Sequence, residues 1–249
     1  MREMLYGRQA IREILRAARR DVYRLFLAEG TVRAPIIDEI VSLAEDRQIP
    51  IQTVSREELG RMFPGENHQG IAVETSDYPY AQIDEMLALA KARNEPTLIL
   101  LLDLIQDVHN LGSLIRTAEA VGVHGVVIQG RRAAGITASV ANTSSGAVEH
   151  LLVAQVTNLA RTIERLKEDN LWIAGLEEAY GAKTYTEADL TTALGIVVGS
   201  EGRGIRRLVR GRCDWMMSIP MRGQIESLNA AIAGSVALYE VLRQRSIYS

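Results

Sequence analysis

The chain has 249 residues, of which 47% are hydrophobic and 24% charged, values of a folded globular protein that exclude a disordered chain. Its formal net charge is −3. That excludes coating nucleic acid by bulk charge, but not a local basic patch.

By length the chain is one large domain or, more readily, two modest ones. Cys213 is the single cysteine, so an intramolecular disulfide and a thiolate zinc cluster are both excluded. It reads as an inert, partly buried thiol before it reads as a nucleophile. The segment MREMLYGRQAIREILRAARR carries too many arginines for a signal-peptide core. The longest apolar run, around Leu98 to Leu102, is strand-sized, so no transmembrane helix is expected. A cytoplasmic protein with no membrane partner and no metal is the expectation.

In chain order, Leu5, Ile11, Ile14, Leu15 and Ala18 fall at near-helical spacing, which predicts an amphipathic helix over 8–20. A strand follows over 22–28, then a helix over 36–47 and a strand over 51–54. Ser55 with Glu58 three residues on reads as a capping box for a small helix. A strand over 71–74 closes this block, a compact α/β layer structure over residues 1–76. DYP and NEP punctuation brackets a linker, 77–95, that holds one helix with Leu87, Leu89 and Ala90. The third block, 96–249, opens on a continuous apolar strand, 98–103, of the kind buried on both faces of a parallel sheet. Helices are expected at about 110–121, 159–167, 204–210 and 227–245, with strands at 125–129, 172–176, 195–199 and 215–219. This alternation predicts an open, mostly parallel α/β sheet, whose ligands bind beyond the carboxyl ends of the strands.

Three segments occupy those strand ends. DLIQDVHNLGSLIR is expected to deliver His109 and Asn110 from a polar loop, with Arg116 in the helix that follows. By itself Asn110 reads equally as a helix cap, and His109 as a hydrogen-bonded loop histidine. IVVGSEGRGI sets Gly199, Glu201, Gly202 and Gly204 after a buried strand. This is neither a dinucleotide GxGxxG nor a phosphate loop. Its glycines suggest close backbone approach to a ligand, and Glu201 could orient an arginine or a substrate. IPMRGQIESLN leads through Ser227, Leu228 and Asn229 into an alanine-rich helix, with Ser227 also readable as a plain N-cap.

Taken together, HNLGSLIRTAEAVGVHGVVI, VVGSEGRGI and IPMRGQIESLNAAIAG resemble, in order and spacing, the three motifs of the SpoU/TrmH family of RNA ribose 2′-O-methyltransferases in the SPOUT superfamily. LYGRQAIREIL and HQGIAVE are similar to the L30e-like substrate-binding domain of its RlmB branch. The resemblance implies a C-terminal domain threaded into a deep trefoil knot, an exception to the usual rule. It implies S-adenosylmethionine as cofactor, held by Gly199, Ile219 and Leu228, with Leu176 as a weaker candidate wall. It implies a homodimer paired through the knotted domain, and transfer of a methyl group to a ribose 2′-hydroxyl, expected in guanosine of 23S rRNA. Arg116 is then the central catalytic residue, oriented with the ribose by Asn110, Glu201, Ser227 and Asn229. Arginine is a poor base, with a pKa above about 12, so a positioning role is favoured and the base is left open. Val108 stands where the family usually has proline, and AAIAGS where VSVAAG is commoner. Neither change removes a chemical group.

RNA binding requires positive charge. Met1 to Ala34 holds eight arginines (2, 8, 12, 16, 19, 20, 24 and 33) against four acids, and Glu201 to Arg222 holds six against two. Arg8, Arg12 and Arg16 share one helix face. The alternative is a merely solvated face. With aromatics at 5%, recognition by shape and phosphate contacts is expected over base stacking. Three rivals stay open: a tRNA or antibiotic-resistance methylase of the same family, a non-catalytic L30e-like RNA-binding protein, and a Rossmann-type nucleotide enzyme, which lacks its fingerprint here.

Overall fold

In the computed structural model, residues 2–32 and 34–247 are described; Arg33, counted above among the basic residues, lies outside them, as do Met1 and the last two residues. The chain divides into two compact units, Met1–Pro79 with Ile136–His150, and Tyr80–Gly135 with Leu151–Ser249.

The first unit is built from β1 (Arg2–Tyr6), α1 (Arg8–Ala17), β2 (Val22–Ala28), α2 (Pro35–Asp46), β3 (Ile51–Val54), α3 (Arg56–Met62) and β4 (Ile71–Ser76). Its four-stranded sheet runs β1-β4-β2-β3. The β1–β4 and β2–β4 pairs are antiparallel and β2–β3 is parallel. Ser55 caps α3 by accepting from the Glu58 N–H, as its sequence predicts. Leu5 belongs to β1 and not to the face of α1: Gly7, at φ 91°, breaks the chain between them. The helix ends at Ala17, with Ala18 left-handed, so Arg20 is free of it and turns inward. Arg20 is fully buried and pairs with Glu149 at 2.8 Å and Glu3 at 2.6 Å.

Glu149 comes from the returning segment, where α6 (Ala138–Thr143) and a 3-10 turn, Ala147–His150, pack within this unit. Val140, Ala141 and Val148 bury their side chains there. The sequence reading leaves this segment out.

The expected arginine face of α1 is mostly neutralised. Arg12 bonds Glu13 at 2.8 Å, and Arg16 pairs with Glu13 and Glu39.

The second unit begins with α4 (Ile83–Arg93), inside the segment read as a linker. Its Ile83 and Met86 enter the same apolar cluster as Ile99, Leu101 and Ile173, so the helix is part of this unit's core. Then come β5 (Leu98–Asp103), α5 (Val108–Ala120) and β6 (Gly125–Gln129). After the excursion of α6 follow β7 (Val153–Val156), α7 (Leu159–Glu168), β8 (Trp172–Leu176), β9 (Lys183–Thr184), β10 (Leu194–Gly199), α8 (Arg207–Arg210), β11 (Trp215–Ser218) and α9 (Ala230–Ile247). The seven strands order as β7-β6-β5-β10-β8-β11-β9, and every pair is parallel. Every residue of β5 and of β10 is buried, which is what their unbroken apolar runs predict. The helix expected over 204–210 shrinks to the single turn α8, because Gly204 is left-handed at φ 61°. Small residues bring α9 close to α5 and to the sheet. At Gly234 a β-carbon would stand 2.5 Å from Leu114 Cδ2 of α5 and 3.3 Å from Val198 Cγ2 of β10.

Candidate active site

Strands β5, β10 and β11 deliver three chain segments to one end of the parallel sheet. Asp107 caps α5 by accepting from the Asn110 N–H at 2.8 Å. His109 and Asn110 therefore sit in the first turn of α5, not in the loop before it, and Asn110 is not the cap. Val108 is the first helical residue, the position where proline costs nothing, so its replacement leaves the turn intact. After β10, Gly199 has no room for a side chain. A β-carbon there would lie 2.2 Å from the carbonyl carbon of Gly204 and 2.5 Å from the Ile205 nitrogen. The chain turns back on itself over these residues, with the Gly204 N–H bonded to the Ser200 carbonyl at 2.9 Å. Before α9, Asn229 is the cap: its Oδ1 accepts from the N–H groups of Ala231 at 2.9 Å and Ile232 at 3.2 Å. Ser227 does not cap the helix.

These three segments meet in one hydrogen-bonded network. Asn110 Nδ2 donates to Glu201 Oε1 at 3.0 Å. Asn229 Nδ2 donates to Asn110 Oδ1 at 2.8 Å and also to Glu201 Oε1. The two amides spend their donors on one carboxylate oxygen, which fixes the orientation of all three residues. Three of the five proposed catalytic residues are thereby joined. Ser227 lines the adjoining cavity. Arg116 stands exposed on α5 and is not among the residues lining either cavity described below.

Beside the network lies a cavity of about 290 Å³, near the lower end of small-molecule pockets at roughly 300–1,000 Å³. All four residues expected to hold a cofactor line it: Leu176, Gly199, Ile219 and Leu228. So do Glu177, Glu178, Glu201 and Glu226, while no lysine or arginine does. An acidic lining with apolar walls fits a partly apolar ligand that carries positive charge. Glu177 Oε1 is held by Arg210, and Glu177 Oε2 is buried with no hydrogen-bond partner. A buried acceptor in that state is ready for a ligand hydroxyl or ammonium. A second cavity of about 350 Å³ is lined by Gln106, Asp107, Asn110 and Arg203, and shares Ser200 and Glu201 with the first. Glu201 thus stands in the wall between two recesses.

Sequence reasoning passes over Glu177 and a latch below the network. Asp103 ends β5 fully buried. It accepts from the Arg206 backbone N–H at 2.8 Å and from Arg206 Nε at 2.8 Å and Nη2 at 2.6 Å. Gln129 Oε1 accepts from Arg206 Nη2 at 3.1 Å and from the Leu104 N–H at 3.2 Å. A lone carboxylate closing an otherwise apolar strand was the available signal. Cys213, by contrast, is inert: burial, and then the charge of Asp214, push its thiol up to about 12.

Among the described residues there is no group of three His, Cys, Asp or Glu placed to hold a metal ion, and no helix long and apolar enough to cross a membrane. Residues 97–239 match the SpoU rRNA methylase family, more than half of the chain. The chain belongs to the SpoU rRNA methylase family. Residues 4–81 match a second family, RNA 2′-O ribose methyltransferase substrate binding. This SpoU methylase is 42% identical over 244 residues to YacO of Bacillus subtilis, named for the TrmH family of tRNA/rRNA methyltransferases, with 98% of this chain and 96% of that one covered. A protein of Staphylococcus saprophyticus named for the same family is 41% identical over 243 residues, with 98% and 96% covered. Among solved structures, the SpoU methyltransferase AviRb of Streptomyces viridochromogenes, in complex with the cofactor AdoMet, superposes with a TM-score of 0.82 at 23% identity. That match covers 99% of this chain and 91% of AviRb, and it shows the shared fold. The SpoU fold expected from the motifs, a mostly parallel α/β domain preceded by a substrate-binding domain, is the fold of this chain.

Proposed function

We propose that the chain transfers the methyl group of S-adenosylmethionine to a ribose 2′-hydroxyl of structured RNA, with a guanosine of 23S rRNA as the target. The observation that carries this reading is the acidic cavity beside the Asn110–Glu201–Asn229 network. When bound there, the cofactor supplies an electrophilic methyl on a sulfonium; the protein supplies orientation and proton handling.

Backbone groups near Gly199 and Ile219 would hold the adenine edge, and Leu228, with Leu176 as a further wall, would cover its faces. Glu177 Oε2 takes a hydroxyl or ammonium of the same molecule. The carboxylates of the lining favour its positive charge. The acceptor nucleotide occupies the second recess, so that Glu201 faces both reactants and Asn110 faces the acceptor. Arg116 clamps the phosphate or ribose of the target from α5, consistent with its exposure. The C-terminal segment is threaded as the family's trefoil knot. The homodimer forms through this domain, with Ile232, Tyr239 and Leu242 of α9 at the interface; they are 54%, 53% and 37% exposed along one face of the helix. The substrate unit docks RNA, in the cytoplasm.

The test pairs two measurements. Calorimetry with S-adenosylmethionine should show binding by both the native protein and Arg116→Ala. Transfer to RNA from a deletion strain, with 2′-O-methylation mapped, should be lost in Arg116→Ala. Near-normal turnover in that variant sinks the assignment of Arg116. Absence of cofactor binding by the native protein sinks the whole reading in favour of a non-catalytic RNA-binding protein.

A further inference from the structure

The arginine count of the first unit overstates the charge it can offer a ligand. Arg2, Arg12, Arg16, Arg20 and Arg61 all hold carboxylates. Arg8 and Arg56 have no carboxylate partner among the described residues. Both line one notch of about 450 Å³, together with His68, Asn67 and Gln69.

The notch is shaped by its own hydrogen bonds. The Arg8 N–H donates to Gln69 Oε1 at 2.9 Å, and Arg8 Nε donates to the Gln69 carbonyl at 3.2 Å. The guanidinium is thus held by one edge, with its two terminal amino groups left for a ligand. His68 Nδ1 accepts from the Gly70 N–H at 3.1 Å, which places the neutral ring's proton on Nε2. Gln69 and Gly70 are both left-handed, at φ 54° and 79°, and this is how the turn brings the His68 ring back over its own backbone. The acid of the notch, Glu66, already accepts from the Tyr6 hydroxyl at 2.6 Å. Apart from the His68 imidazole, no apolar or aromatic side chain lines it. Its lining is polar and charged, which suits a phosphate better than an extended base-stacking platform.

We propose that this notch grips a phosphodiester of the RNA substrate, with Arg8 and Arg56 on the phosphate and His68 Nε2–H on an adjacent sugar or base oxygen. The proposal rests on the reading that the protein acts on RNA. It places the contact at the first residues of α1 and α3 and in the α3–β4 turn rather than along α1. Arginine's planar fork suits the two free oxygens of a phosphodiester.

The experiment uses the full chain and fluorescein-labelled fragments of in vitro transcribed 23S rRNA, with anisotropy read across a salt titration. Arg8→Gln/Arg56→Gln should weaken binding by about tenfold and lower the slope of log K against log salt by about 1. Arg12→Gln/Arg16→Gln, which removes paired arginines, should stay within about twofold of the native protein. Arg56→Gln alone changes an exposed side chain and should show part of the loss without any effect on folding. Equal RNA binding by the native protein and the Arg8/Arg56 variant overturns the notch, as does an equal loss in the Arg12/Arg16 variant. So does a native protein that takes up S-adenosylmethionine yet binds no RNA at low salt. A protein that binds RNA through the notch but takes up no cofactor overturns methyl transfer and leaves the notch standing.

Discussion

Asn110→Asp is the sharpest test of the network, because it changes one atom and no shape. The side-chain oxygen that accepts from Asn229 at 2.8 Å is kept. The nitrogen that donates to Glu201 at 3.0 Å becomes an oxygen facing a carboxylate. Two charges at that separation repel by about 1.4 kcal/mol in water and about 5.5 kcal/mol at an effective dielectric of 20. Glu201 is exposed, which pulls the value toward the lower figure. The lost charge-assisted hydrogen bond adds about 1.5–3 kcal/mol. A net cost of about 3 kcal/mol corresponds to roughly a hundredfold slower transfer at neutral pH, if Glu201 must be oriented in the transition state. The two carboxylates can relieve the repulsion by sharing a proton. Their shared affinity for that proton is raised, so the protonated, hydrogen-bonded pair is restored as pH falls. Transfer by the variant should therefore rise on mild acidification, relative to the native enzyme at the same pH. The assay is initial-rate methyl transfer to RNA over a pH series, with cofactor affinity measured in parallel by calorimetry. A variant with native rates, or a slow one with a flat pH ratio to the native enzyme, would refute the argument.

Gly199→Ala places a methyl group 2.2 Å from backbone that cannot yield, at a cost above the usual overpacking penalty of about 1–3 kcal/mol. Calorimetry should find cofactor binding abolished while the circular dichroism of the sheet is kept; native affinity would contradict the cavity assignment. Glu149→Ala leaves the Arg20 guanidinium, whose side chain is 0% exposed, with Glu3 as its remaining carboxylate, and should destabilise the protein by about 3 kcal/mol in urea unfolding, the lower end of the range for breaking a buried pair. Arg20→Met/Glu149→Met should recover most of that, and a double variant as unstable as the single one would show that the pair is not the cause. His124 is held neutral by burial, its pKa lowered from 6.5 despite Glu95. Since the unfolded chain then binds more protons, this stability is fully present above pH 6.5 and falls as pH drops through the folded value. His124→Asn should flatten the urea midpoint across that window, and an unchanged slope would remove His124 as its source.

The strands buried on both faces were legible because burial leaves unbroken apolar runs such as LILLLD and LGIVVG. What escaped the sequence was structure whose cause lies far along the chain. β1 has five residues and runs into α1 through a single glycine, so its Leu5 also satisfies the helical spacing. The segment 136–150 is rich in Ser, Thr and Gly and reads as loop. Its helix exists because Val140, Ala141 and Val148 find apolar partners in the first unit, and because Glu149 finds Arg20. No local pattern encodes a partner 129 positions away. Likewise α4 reads as a linker helix between punctuation marks, and only packing shows that Met86 belongs to a core.

The site shows the same division at the level of single groups. Glycine is informative in sequence because it reports a backbone demand, and Gly199 meets one: the returning chain fills the space its side chain would need. Asn110, Glu201 and Asn229 could be nominated from their places after three strands, but not their bonding, which depends on how α5 and α9 are set against the sheet. Charge is the least legible quantity. Six arginines against two acids in 201–222 suggest a basic surface beside the site. Yet Arg206 is spent on Asp103 at the buried end of β5, and Arg210 on Glu177 in the cavity wall. The same holds for Arg12 and Arg16 on α1. A residue count measures charge before pairing, whereas a polyanion responds to charge after it. The two differ most in an arginine-rich, slightly acidic chain such as this one, where carboxylates are plentiful enough to claim many of the guanidiniums.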